Sequence, residues 1–372
     1  MPAFFSPDSS ELNKLTKGIF LMKTNSIGRG LALAALLAGG ASAHAAQTLN
    51  NLPSPVNFTL AGTGLPDGRF ALYNGNDVYY QAAVDTDAFN TVAANYAGDP
   101  SFIAISPSGT KLLLGAGGFG IEPYLNDLYL VDAASPQDFA PTAIVANRPH
   151  YAAVFLTEDL VLIDSGDFID SELAILDLNA KSGAPVTVLR KPSAGKQAVV
   201  DPKPGYSSNL AFDPTTGRVF AMDAASRELR YFQASDLINA FNGSTLLDWA
   251  NDGTLVGAPG DYAGGGAAGV TSQGYVVLGG SLGFTGPGMV QVVNPVTGEV
   301  VKELDPANDD GYTQVIMNSF TGDAIVLQSG SAFLLDAQEL ISVQMPVGMP
   351  VAGAPALLAL AVALTMLARR KS

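Results

Sequence analysis

The sequence predicts an all-β fold, a six-bladed β-propeller, from three observations. A two-strand phrase recurs along the chain, the composition is that of short strands joined by tight turns, and helix signals are nearly absent between the two ends. The phrase is clearest at residues 112–132 (LLLGAGGFGIEPYLNDLYLVD): an apolar run, a Gly-rich excursion, then a second apolar run ending in Asp132. It returns at residues 70–81, 160–177, 219–233, 275–294 and 325–336, six copies in all. One such hairpin cannot cover its own apolar faces, so the copies must pack on each other, and radial repetition does this with few exposed edges. Seven blades is the alternative count.

Each copy extends to a four-stranded blade. Inner strands, introduced by a turn and an aromatic residue, start near residues 101, 151, 206, 262 and 312, with residues 56–60 as the first. Turns rich in Pro, Gly and Asp follow them, at residues 106–109, 157–159, 213–217, 272–274 and 319–322, because these residues supply the φ values that tight turns need. Outer strands are expected at residues 142–146, 186–190 and 299–304. Residues 235–241 (SDLINAF) read as a single helical turn with Ser235 as its N-cap.

The chain of 372 residues holds 40 Gly and 23 Pro and is 48% hydrophobic, enough for a sizeable core. Its charge is lopsided, with 34 acids against 19 bases and a net charge of −15. Two acids and four bases precede residue 47 and three bases follow residue 345, which leaves 32 acids, 12 bases and a net charge of −20 between them. Such a field repels nucleic acid and anionic membrane surfaces, and suits cations, neutral ligands or basic partners. It also serves solubility alone. There is no Cys, which excludes disulfides, thiolate catalysis and Cys-based metal sites.

The ends differ from the middle. Residues 1–46 are expected to be a signal peptide starting at Met22: Lys23 and Arg29 are the basic region, residues 31–37 (LALAALL) the apolar core, and Ala41-x-Ala43 and Ala43-x-Ala45 the small-residue cleavage options. Residues 47–345 hold the repeats. Residues 346–372 are expected to be a linker, a transmembrane helix and a basic end: residues 351–368 carry no charge, and Arg369, Arg370 and Lys371 close the chain. The expected location is therefore exported, held in the inner membrane in transit.

Propeller sites gather at a mouth of the central channel, and four candidates are legible. Tyr151, Tyr206, Tyr262 and Tyr312 recur at one point of four repeats, with Arg148 and His150 beside the first of them. Aromatic faces interleaved with polar groups suit a sugar, a peptide side chain or a cation; the same tyrosines read equally as wedges between blades. Asp164, Asp167, Asp170 and Glu172 place four carboxylates on one loop, an oxygen-only set that suits Ca²⁺ or a solvated acidic turn. His150 is the one His of the repeat region; without G-x-S-x-G or a second His, a hydrolytic triad has little support. The Asp-rich stretch at residues 305–311 is a turn, and the Gly-rich stretches at residues 115–120 and 264–266 lack the following helix that would present an N-terminus to phosphate.

Residues 345–372, with MPVGMP ahead of an apolar run and a basic end, resemble the C-terminal sorting signals of Gram-negative surface proteins of the PEP-CTERM type, although Pro-Glu-Pro itself is absent. The resemblance implies export, an envelope sorting protease or transpeptidase as partner, and transfer to the envelope, surface or medium. Residues 290–301 (VQVVNPVTGEVV) and 209–220 (NLAFDPTTGRVF) resemble YVTN-type and quinoprotein-like propeller repeats, a likeness of fold that many functions share. The expected function is a ligand- or protein-binding module without catalysis. The alternative is a metal-dependent hydrolase resembling the gluconolactonases, whose cation would sit in the channel near Asn209 and Asp223.

Overall fold

The computed structural model describes residues 47–53, 60–93, 100–116, 127–133, 142–145, 150–166, 171–180, 185–190, 210–223, 228–257, 262, 264–281, 288–304, 313–328, 331–337 and 340. Its strands form six sheets, each ordered from inner to outer strand. Blade I holds Ala61–Gly64, Phe70–Tyr73, Val78–Gln81 and Phe89–Ala93. Blade II holds Pro100–Ile105, Lys111–Ala116, Asp127–Asp132 and Thr142–Val145. Blade III holds His150–Phe155, Leu160–Gly166, Ser171–Asp177 and Val186–Arg190, with Leu247–Asp248 added in parallel at its outer edge. Blade IV holds Leu210–Asp213, Arg218–Asp223, Glu228–Gln233 and Thr254–Leu255. Blade V holds Gly264–Val270, Val276–Ser281, Gly288–Val293 and Val300–Leu304. Blade VI holds Thr313–Met317, Ala324–Gln328 and Ser331–Leu335, and its outer strand is Gln47–Thr48 from the other end of the domain.

The ring is closed. Each inner strand packs beside the next, and that of blade VI packs beside that of blade I. The core divides in the same way, with one buried cluster at each of the six seams. At the closing seam, Ile316, Ile325, Leu327 and Leu334 of blade VI meet Leu60, Phe70 and Leu72 of blade I. The central residues of the second strands are buried, as Leu112, Leu113 and Leu114 illustrate, because both faces of a blade lie against neighbours. This is why their sequences run apolar instead of alternating.

Three expectations need correction. The first inner strand is Ala61–Gly64, not residues 56–60, of which 56–59 lie outside the described residues. Its sequence, AGTG, carries no strand signal because it is selected for close approach: a Cβ on Gly62 would sit 2.6 Å from the Ile316 side chain. The predicted single turn is a ten-residue helix, α1 (Ala234–Gly243), and its N-cap is Gln233, with no side-chain cap, not Ser235. Ala234, Leu237 and Ala240 form its buried stripe and pack on Val188 and Leu189, so α1 lies against the outer strand Val186–Arg190 of blade III. A second helix, α2 (Trp249–Asp252), follows and is capped by Asp248, which accepts from Ala250 N at 3.0 Å and Asn251 N at 2.8 Å. The expected signal and tail helices lie outside the described residues; among the described residues no helix is long and apolar enough to cross a membrane.

Candidate functional site

Closing the ring encloses one space that no single blade could form. A cavity of about 320 Å³ runs along the axis and is lined by the inner strands of all six blades. Its walls are apolar for most of their area: Ile103, Ile105, Val154, Phe155, Phe212 and Met317 are representative. At one end it reaches the turns that leave the inner strands, where Pro107, Pro214, Ser319 and Phe320 line it. Phe320 is 39% exposed, a large apolar side chain at the rim. The sequence points instead to the opposite face, where the inner strands begin; most of the loops there lie outside the described residues.

Among its described lining residues none is ionisable; the polar ones are Thr63, Ser101, Ser106, Gln314 and Ser319. Two of these carry buried atoms with no hydrogen-bond partner among the described residues, Gln314 Oε1 and Ser101 Oγ. Gln314 is 8% exposed and sits second in the inner strand of blade VI, opposite Leu327. Ser101 falls at the irregularity between Pro100 and Phe102 in the ladder of blade II. Bulges of this kind free one residue from pairing and re-aim its side chain.

The residues singled out from the sequence are distributed differently. Tyr262 is fully buried in the seam of blades IV and V, between Phe220 and Val276, and its hydroxyl donates to Gly298 O at 2.9 Å. It is a wedge between blades and offers no face to a ligand. Tyr151 occupies the irregularity between His150 and Ala152 in blade III, while Tyr206, Tyr312 and Arg148 lie outside the described residues. His150 is buried and pairs with Ser165, which in turn pairs with Glu172, so these three share one cross-strand row that ends at Arg190.

Asp164 and Glu172 are both buried, but on opposite faces of blade III. Asp164 pairs with Ala152 and Leu173, which belong to the seam with blade IV. Glu172 is one residue out of step, and successive strand residues point to opposite faces. Asp167 and Asp170 lie outside the described residues. Asp223 is buried and pairs with Glu228, and Asn209 lies outside the described residues. Among the described residues no three His, Asp or Glu side chains gather as a metal site.

The class of protein that this architecture defines is the six-bladed β-propeller. No protein-family model matches the chain, and no curated relative does. Among solved structures it is similar to the calcium-binding protein regucalcin from Agrobacterium tumefaciens, with 12% identity and a TM-score of 0.52, covering 78% of this chain and 93% of that one. It is also similar to a nidogen–laminin complex (10% identity, TM-score 0.46, covering 73% and 84%). TolB from Acinetobacter baumannii is a third (10% identity, TM-score 0.43, covering 68% and 55%). At these identities the likeness is one of fold.

Proposed function

We propose that the chain is an exported binding module that holds a small molecule in its central channel and catalyses no reaction. The observation that supports this most is the cavity itself, which all six inner strands enclose and whose described lining has no ionisable side chain. Ligand sites are typically concave, mostly apolar and furnished with a few polar groups, and this volume falls at the small end of their range. The described lining supplies hydroxyls and a carboxamide, but no imidazole or carboxylate to move a proton. That favours holding a molecule over transforming it. Calcium on the loop at residues 164–172 would have to be ligated by Asp167 and Asp170 with one of the two strand carboxylates; loss of thermal stability on adding EDTA would reveal it, and an unchanged melting temperature would exclude it.

Export is supported by where the domain starts. The outer strand of blade VI begins at Gln47, two residues beyond Ala45, the end of the second cleavage option. Two measurements test the reading. Native mass spectrometry of the full chain from its own cells should show a non-covalent small-molecule adduct; a chain that carries none and takes up none would refute the channel as a site. Fractionation of the cells, with mass analysis of both mature termini, should place the protein in the envelope or medium with a start at residue 44 or 46.

A further inference from the structure

We infer that the channel ligand is an uncharged, mostly hydrocarbon molecule carrying a hydroxyl, which donates to Gln314 Oε1 while the hydrocarbon runs toward Phe320. This rests on the channel reading above and adds the ligand's chemistry and orientation. Three observations carry it.

Gln314 Oε1 is buried, lines the cavity and has no hydrogen-bond partner among the described residues. Buried acceptors left without a donor are uncommon in native proteins and costly, so this oxygen marks where a donor arrives. Ser101 Oγ, also buried and without a partner among the described residues, lines the same cavity from blade II and can accept from or donate to the same group.

The second observation is charge. Among the described lining residues none is ionisable, in a chain of net charge −15. A carboxylate or phosphate brought into such walls would lose its water and find no counter-charge. An ammonium would fare no better, since no carboxylate is among the described lining residues. Neutral ligands meet no such penalty.

The third is the length and polarity of the wall beyond Gln314. Val315, Ile316 and Met317 complete the strand, roughly 10 Å of rise at the usual spacing. Phe102, Ile105, Phe155, Phe212 and Val270 face the same space from other blades. Phe320 then stands at the rim, 39% exposed. An apolar side chain there suits the passage of a hydrocarbon tail into or out of the channel.

The test uses three probes with closely matched hydrocarbon chains on the full chain: 1-octanol, its methyl ether 1-methoxyoctane, and octanoate. Dissociation constants are read by ligand-observed NMR. Octanol should bind about tenfold more tightly than the ether, the factor that one hydrogen bond supplies, and octanoate should bind more weakly than both. In Gln314→Leu the preference of octanol over the ether should vanish while ether binding persists. Gln314→Met serves if the leucine variant does not fold, and Ser101→Ala should narrow the preference without abolishing it. If octanoate binds best, the ligand class proposed here falls and the channel remains a ligand site. An undiminished octanol preference in both Gln314 variants overturns the anchoring role. Should none of the three probes bind while the native adduct is present, the ligand class is wrong. If the adduct is missing as well, the channel reading fails with it.

Discussion

Gly64 of blade I and Asn318 of blade VI are locked together at the point where the ring closes. A methyl group on Gly64 would overlap both the backbone and the side chain of Asn318. Asn318 is fully buried; its Nδ2 donates to Leu65 O and Arg69 O, each at 3.2 Å, and its Oδ1 accepts from Phe320 N at 3.0 Å and Thr321 N at 3.2 Å. One side chain thus shapes the turn of the last blade and tethers it to the first. Gly64→Ala and Asn318→Ala should each destabilise the fold by about 2 kcal/mol or more, the cost of overlap in one and of orphaned buried groups in the other. Denaturant midpoints check this; a change under roughly 0.5 kcal/mol in both would mean that the seam is not closed as described.

The outer strand of blade VI comes from the start of the domain, and its neighbours are anchored. Leu49 N donates to Ala332 O at 2.8 Å, and Leu49 and Leu52 are buried in the closing seam. Leu49→Ala should therefore cost about 2–5 kcal/mol. If it costs no more than a surface substitution, the strand does not hold the ring.

Tyr262→Phe should cost about 1 kcal/mol, the worth of the hydrogen bond to Gly298 O, and Tyr262→Ala about 3–5 kcal/mol. Octanol affinity should be unchanged in the phenylalanine variant. A lost affinity with unchanged stability would instead make this tyrosine part of a binding face.

Tyr80 gives a signature in alkali. Burial pushes its phenol up to about 12; Arg69 opposes the shift, and Asp67 and Asp132 add to it. An unfolded tyrosine titrates near 10. Between these values the unfolded chain has released this proton and the folded chain retains it, so stability falls as pH rises through that window. Tyr80→Phe should flatten the fall, and phenolate absorbance should lose a component that titrates near 12.

In acid the contact between the turns of blades II and III is sensitive. Ser108 donates to the Glu158 carboxylate from its N at 2.5 Å and its Oγ at 2.8 Å, and Lys111 Nζ donates to Asp159 at 2.7 Å. Slight burial works to raise the Glu158 pKa, but the Ser108 hydrogen bonds and the Lys111 charge outweigh it and hold it below the ordinary carboxylate range. Its contribution is present above that range and fades as pH drops through the lowered value. Ser108→Ala should make the unfolding midpoint less dependent on pH in that window.

The second and third strands of every blade were legible in the sequence because burial between blades demands apolar runs there. The outer strands Thr142–Val145, Val186–Arg190 and Val300–Leu304 lie within a residue of where the sequence places them. What escaped was set by distant contacts. AGTG at residues 61–64 is a strand because Ile316 and Asn318 crowd it, and neither is near in sequence. Gln47–Thr48 is two residues long and pairs with Phe333 and Leu334, beyond any local signal. The channel lining was invisible for the same reason: Gln314 and Ser101 look like ordinary strand residues until six blades bring them to one axis. The tyrosines drew notice by recurring at equivalent points, and for Tyr262 that equivalence reflects a seam.

Ring closure through Gln47–Thr48 is the claim on which the channel depends, and a disulfide tests it most directly, since the chain has no Cys of its own. Thr48 faces Phe333, and the bond from Leu49 N to Ala332 O makes this the non-hydrogen-bonded pair of the ladder, whose Cα spacing near 4.5 Å falls within disulfide range. In the double variant Thr48→Cys/Phe333→Cys, mild oxidation should link the two ends of the domain nearly completely and raise the melting temperature. Thiols that stay reduced in the folded protein, or a bond that forms only after unfolding, would contradict a closed ring.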